Sequence, residues 1–269
     1  MNCCICGPVK NCAAYLKKVF ENIEKIGGLF DDYKIMIYYD KSSDNTLDIL
    51  KSYQKENPRL LFYVNKNPLS PFRTHNLAIA RNFCLSYVRE RKNEFYYFIM
   101  MDLDDVNSKE LNLYALKTAL NEKQDQWDGL SFNTSPLYYD IWALSIYPYC
   151  FSYNHFNSND KYYTIIQKYV DDLLKNRKTY LPCISSFNGF SIYKTHKFLD
   201  TYYDGRIRLD LISQKNLEAH MKVTRSKVIY KKYRTVDGRF EDCEHRAFHI
   251  QASKNSGARI MISPEILFY

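Results

Sequence analysis

Three acids in four residues, Asp102, Asp104 and Asp105, stand directly behind the apolar run Phe95-Tyr96-Tyr97-Phe98-Ile99-Met100-Met101. Such a run predicts a strand buried on both faces, as in the middle of a mostly parallel sheet. Side chains alternate along a strand, so Asp102 and Asp104 point one way and Leu103 points back into the core. Two carboxylates converging at a sheet edge repel each other, and burying them unpaired is costly. A divalent cation with oxygen ligands removes that cost. Mg²⁺ or Mn²⁺, held by one or two carboxylates and by substrate phosphates, suits this pattern. A solvated acidic turn would use the same residues, so the elements around them must decide.

Those elements alternate. Asn2 to Cys6 predicts a short core strand with Gly7-Pro8 as its turn, and Asn11 is placed to cap a helix. Tyr15, Leu16, Val19, Phe20, Ile23 and Ile26 form its apolar stripe, which Gly27-Gly28 ends. Lys34 to Tyr39 predicts a second strand running into Asp40-Lys41-Ser42-Ser43-Asp44. Leu47 to Tyr53 predicts a helix, Leu60 to Val64 a strand, and Arg73 to about Arg91 a long amphipathic helix. Four strand–helix alternations by residue 105 predict a doubly wound α/β sheet with ligands at the carboxyl ends of its strands. Polar clusters fall at those ends: Gly7-Pro8, Asp40 to Asp44, and Asp102 to Asp105.

Beyond residue 106 the alternation fades. Asn107 or Ser108 is placed to cap a helix with Leu111, Tyr114, Leu116 and Leu120. Trp127 to Phe132 predicts a strand, and the aromatic stretch Tyr138 to Leu144 follows. A helix carries Ile165 to Leu174, and Phe187 to Tyr193 predicts a further strand whose Gly189 suggests close backbone approach. Phe240 to His249 is dense in titratable groups. Arg73 and Arg81, eight residues apart, share one face of their helix, where they could neutralise a diphosphate or pair with Asp102 and Asp104. Ser43 and Asp44 could equally cap the helix that follows them.

Composition narrows the class. The 269 residues can bury a substantial core, and a net charge of +8 suits anionic ligands, but the lysines are scattered. Nucleic-acid binding is therefore not expected. No Gly-rich phosphate loop is present. The sequence has neither a run of eighteen apolar residues nor a signal-peptide pattern, so no integral membrane segment is expected and a cytoplasmic location follows. Eight cysteines lie at positions 3, 4, 6, 12, 84, 150, 183 and 243. Cys3-x-x-Cys6 with Cys12 lacks a completing ligand pair for zinc, and buried reduced thiols are the expectation.

The ordered motifs resemble the GT-A glycosyltransferases that use nucleotide sugars, most nearly a capsule-associated mannosyltransferase-like branch with similar enzymes in large DNA viruses. The residues that carry the likeness are Tyr39-Asp40 with Ser43-Asp44-Asn45-Thr46, Arg73 with Leu77 to Asn82, and Asp102-Leu103-Asp104. Tyr139-Asp140-x-Trp142, Asn188-Gly189-Phe190 and Cys243-Glu244-His245 follow downstream. The resemblance implies a single GT-A-type domain over 1–269, its nucleotide-sugar half at 1–106 and its acceptor half at 107–269. It implies a metal-dependent hexosyltransferase, with UDP-sugar as first donor and GDP-mannose as second, a glycan or glycoprotein acceptor and a retained anomeric configuration. A viral enzyme would act in the host cytoplasm.

By the same resemblance Gly7, Pro8, Asp40, Ser43, Asp44, Arg73, Arg81, Asp102, Leu103 and Asp104 would hold the donor. Asp102, Asp104 and His245 would hold Mn²⁺ or Mg²⁺, with His249 as the substitute histidine. Tyr139, Asp140, Trp142, Asn188 and Gly189 would meet the acceptor. Asp242, Glu244 and Asp140, with Glu241 beside them, are the candidate catalytic acids and bases. Two other classes use the same residues. A haloacid-dehalogenase-type phosphatase would take Asp102 as nucleophile and Asp104 as general acid, and a non-catalytic sugar- or nucleotide-binding protein would use the fold alone.

Overall fold

A computed structural model describes residues 1–67, 69–151, 159–225 and 241–269. Its sheet grows outward from the acid-tipped strand. The first half runs β1 (Cys3–Val9), α1 (Ala13–Gly27), β2 (Tyr33–Asp40), α2 (Thr46–Glu56), β3 (Leu60–Asn65), α3 (Arg73–Glu90) and β4 (Tyr97–Met101). The second half adds α4 (Leu113–Asn121), β5 (Gly129–Thr134), α5 (Asn159–Leu174), β6 (Leu181–Pro182), β7 (Phe190–Lys194), α6 (Gln214–Thr224), α7 (Glu244–Ser256) and β8 (Ile260–Phe268). The strand order is β3-β2-β1-β4-β7-β5-β8-β6. The first four strands are all parallel. β7 joins them antiparallel to β4, which carries the second half onto the same sheet. This is the mostly parallel α/β architecture that the alternation predicts.

β4 sits between β1 and β7 and all five of its residues are buried, as a central strand requires. Its neighbour Tyr96 is 45% exposed, so the continuous apolar run overstates the strand by its first residues. The period of two divides the core. Cys3, Ile5, Ile99 and Met101 pack with α1 and α4, whereas Cys4, Cys6, Phe98 and Met100 pack with α3 and α7. Burying each large apolar side chain contributes about 1.5–3 kcal/mol. Cys3, Cys4 and Cys6 are buried free thiols, as the sequence leads one to expect.

Three local expectations shift. β1 runs through Gly7-Pro8 to Val9, pairing Gly7 with Ile37 and Pro8 with Tyr38, so those residues are strand and not turn. The cap of α4 is Asn112, whose side chain accepts from Ala115 N, while Asn107 and Ser108 lie in a single 3₁₀ turn. β7 starts only at Phe190, because Asn188 (φ 56) and Gly189 (φ 81) occupy the left-handed region and turn the chain before it. Among the described residues no helix is long and apolar enough to cross a membrane.

Candidate active site

The chain leaving β4 folds back over the end of β1. A Cβ on Gly7 would stand 2.4 Å from the Met101 carbonyl oxygen and 3.2 Å from Leu103 Cγ, so only glycine lets the turn lie this close. The Asp102 amide donates to the Gly189 carbonyl at 2.9 Å. Asn107 Nδ2 donates to the carbonyls of both Asp102 (2.6 Å) and Gly189 (2.7 Å). Leu103 is buried, and Asp102 and Asp104 both face a cleft of about 610 Å³, as strand alternation predicts. Pro8, Asp40 and Arg73 line the same cleft, which lies at the carboxyl edge of the parallel strands.

The two acids differ in what neutralises them. Asp102 Oδ1 accepts from Arg81 Nη2 at 2.8 Å, and Arg81 Nε donates to Glu244 Oε1 at 2.8 Å. Among the described residues Asp104 accepts only from the Val106 amide, at 3.2 Å. Burial, reinforced by the charges of Asp102 and Asp105, pushes its carboxyl up to about 7. Among the described residues no Lys, Arg or His lies in ion-pair contact with Asp104. A half-buried acid short of a cation, beside a second carboxylate with one oxygen committed elsewhere, is an all-oxygen donor set that fits Mg²⁺ or Mn²⁺. No group of three His, Cys, Asp or Glu among the described residues could hold a metal. Among the described residues Asp102 and Asp104 are the two that could serve as such ligands, and phosphate oxygens would complete the shell.

At the far end of the cleft Asp40 Oδ1 accepts from the Lys41 amide and from Asn65 Nδ2, both at 3.0 Å, and Lys10 Nζ stands 3.6 Å from Oδ2. Lys10 and Asn65 line the cleft and escape the sequence reading. Their signal was position: each sits at the carboxyl end of a parallel strand. Arg73, the first residue of α3, is exposed on the cleft wall, whereas Arg81 is 2% exposed and spent on Asp102 and Glu244. Arg81 thus takes the acid-pairing alternative and does not line the cleft. Ser43 and Asp44 turn away as well. Asp44 receives the Ala13 and Thr46 amides and the Thr46 hydroxyl, which holds the first turns of α1 and α2, and Ser43 bonds Asn11. Against the burial that would raise it, these hydrogen bonds hold the Asp44 carboxyl below its ordinary value.

The residues that the resemblance assigns to the acceptor converge on Asn188. Its side chain donates to the Phe132 carbonyl and Thr134 hydroxyl and accepts from the Tyr139 and Asp140 amides. The Tyr139 hydroxyl lies 2.6 Å from where a Gly189 Cβ would be, and burial with the charges of Asp102, Asp140 and Asp104 raises its pKa well above the ordinary value. Asp140 accepts from Ala143 N at 3.2 Å and Asn188 N at 3.3 Å, and burial pushes its carboxyl up to about 6. Trp142 packs against the core between α3 and α7.

Within the titratable stretch before β8, residues 241–249 do not line the cleft. Phe240 lies outside the described residues. Glu241 accepts from the amide and hydroxyl of Thr74 and so caps α3. Asp242 is 2% exposed and pairs with Arg246 at 2.8 Å, and Glu244 is 3% exposed on Arg81, so neither is free to take a substrate proton. His245 is buried with its ring stacked 3.7 Å from Phe187, and burial drives its pKa well below the ordinary value. It sits in the core, and among the described residues it makes no metal-ligand group with Asp102 and Asp104. His249 bonds Ser185 and Tyr193 at 3.0 Å each and is likewise core.

The profile of the family described as Glycosyl transferase family 2 matches residues 4–159. No curated protein matches the chain. Among solved structures, S. aureus TarS in complex with UDP-GlcNAc is similar over 100% of this chain and 58% of that one, at 15% identity and a TM-score of 0.50, a likeness of fold. The mannosyltransferase PcManGT from Pyrobaculum calidifontis, in complex with GDP-Man and Mn²⁺, is similar over 99% of this chain and 55% of that one, at 11% identity and a TM-score of 0.46. The chain thus spans less than two thirds of either.

Proposed function

The chain belongs to glycosyl transferase family 2 and is a glycosyltransferase, and from that premise we propose that it moves a sugar from a nucleoside-diphosphate sugar to a glycan or glycoprotein acceptor, with a divalent cation held by Asp102 and Asp104. The observation that carries this reading is Asp104, pushed up to about 7 in the cleft and without an ion-pair contact to any Lys, Arg or His among the described residues. Mn²⁺ or Mg²⁺ bound there supplies Lewis-acid stabilisation of the charge that develops on the leaving diphosphate. Arg73, exposed on the cleft wall, adds a phosphate contact. Asp102 contributes the oxygen that Arg81 does not take.

For the donor we favour UDP-sugar and place GDP-mannose second. Asp40 Oδ1 is already filled by two N–H groups, and Oδ2 stands beside the Lys10 ammonium. One acceptor oxygen next to a cation suits the uracil imide, a single N–H between two carbonyls. Guanine presents two adjacent N–H donors and asks for two acceptors. The neighbouring fold in TarS is known with UDP-GlcNAc.

On the acceptor side Tyr139, Asp140, Asn188 and Gly189 form one hydrogen-bonded unit against the acids, and we assign them to the incoming hydroxyl. Asp140, at about 6, is mostly ionised near neutral pH and weakly basic enough to give the proton up again, the poise of a general base. That role implies inversion at the anomeric carbon. Retention, as the sequence resemblance implies, needs no such base, and the anomer of the product distinguishes the two.

The test is a thermal-shift screen of UDP- and GDP-sugars with and without Mn²⁺, since a ligand that binds only the native state raises its melting point. A UDP-sugar should stabilise the protein only with Mn²⁺, and Asp104→Ala should lose that response and about 10²–10³ in transfer rate. Equal donor stabilisation of wild type and Asp104→Ala would refute the cation assignment.

A further inference from the structure

We propose that Glu244 is a positioning residue for the cation site, acting through Arg81; the inference rests on the assignment of Asp102 and Asp104 as cation ligands. Glu244 is 3% exposed and cannot touch a donor. Its Oε1 instead takes Arg81 Nε at 2.8 Å, while Nη2 of the same guanidinium takes Asp102 Oδ1 at 2.8 Å. The Phe187 ring covers the guanidinium, 4.6 Å from its carbon. The plane of Arg81 is thus fixed on three sides, and with it the carboxylate of Asp102, which keeps Oδ1 on Arg81 while the residue lines the cleft.

Charge gives Glu244 a second role. An arginine paired with Asp102 alone would cancel it and leave the cleft poorer in negative charge. Glu244 draws on the same guanidinium from the buried side, so Asp102 retains attraction for a cation. The turn that carries Glu244 is itself locked, by Asp242–Arg246 at 2.8 Å and by the Asp242 amide on the Gly205 carbonyl at 2.9 Å. Stability alone does not account for this arrangement, because buried ion pairs are commonly no more stabilising than apolar residues of the same volume.

The experiment measures Mn²⁺ affinity with saturating UDP in wild type, Glu244→Gln, Arg81→Met and the double variant, alongside melting of each metal-free protein. Glu244→Gln keeps the shape and an acceptor but removes the charge. It should fold normally and weaken Mn²⁺ binding about 10–100-fold, the usual cost of removing a partner of a metal ligand. The double variant should bind no more weakly than Arg81→Met, since Glu244 acts only through that arginine. Wild-type affinity in Glu244→Gln, with Asp104→Ala losing Mn²⁺, overturns the inference and leaves the cation assignment standing, as do strictly additive losses. No Mn²⁺ uptake by wild type overturns both. Should Arg81→Met fail to fold, the Glu244→Gln affinity decides alone.

Discussion

The acids that follow β4 and the acids that open α7 are comparably dense in the sequence, yet the fold sets them opposite tasks. Behind β4, Asp104 lines a cleft, makes no ion-pair contact among the described residues and is pushed up to about 7. At the start of α7, Asp242 and Glu244 are almost wholly buried and each holds an arginine at 2.8 Å. The density of ionisable groups is therefore a poor guide to chemistry. Charge left uncompensated at a cavity wall is the better one, because the protein leaves it so only where something else arrives to neutralise it. The α7 turn acts instead as a fixture. Glu244 reaches Asp102 through Arg81, and Arg246 holds the carbonyls of Trp142 and Leu144.

If that division holds, the largest structural loss should come from α7. Arg246→Met removes the guanidinium that pairs with buried Asp242 and holds the Trp142 and Leu144 carbonyls, and should destabilise by about 3–5 kcal/mol, read as a large fall in melting temperature. A loss below 1 kcal/mol would mean that the turn is not the fixture described. The cleft acid should behave in the opposite sense. Asp104 titrates near 7 when folded and near 4 when unfolded. Between those values the native state holds the proton and the unfolded chain does not, so metal-free stability falls as pH rises through this window. Asp104→Asn has no proton to lose. It should melt a few degrees above wild type at pH 8 and converge with it near pH 4, with Mn²⁺ withheld. A constant offset at every pH would contradict the raised pKa.

The smallest effect should belong to His245. His245→Leu is close in volume and replaces a neutral buried ring, so stability should change by less than about 1.5 kcal/mol, and Mn²⁺ affinity with UDP should stay within twofold. Loss of Mn²⁺ binding would restore His245 as a ligand and erase the contrast between the two regions.

Local pattern accounts for what was legible in the sequence. The alternation to residue 105, the buried β4 and the shared direction of Asp102 and Asp104 all follow from periods of two and 3.6. The choice between cap and ligand at Asp44 was posed by residue type but settled by geometry: Asp44 is needed by two helix starts at once. The placement of the acids at the start of α7 has a different origin. Whether Glu244 faces cleft or core depends on Arg81, 163 residues away, and no local period encodes that pairing. Nor does spacing reveal that Lys10 and Asn65 flank Asp40, since the three lie on separate strands or their ends and meet only in the sheet.

Calorimetric titration of wild-type protein with UDP and with uridine, each with Mn²⁺ and with EDTA, tests most directly whether the acids behind β4 grip a cation that in turn grips a diphosphate. Mn²⁺ should strengthen UDP binding at least tenfold and leave uridine unchanged, because uridine has no phosphate for the cation to hold. UDP binding equally well in EDTA would contradict it.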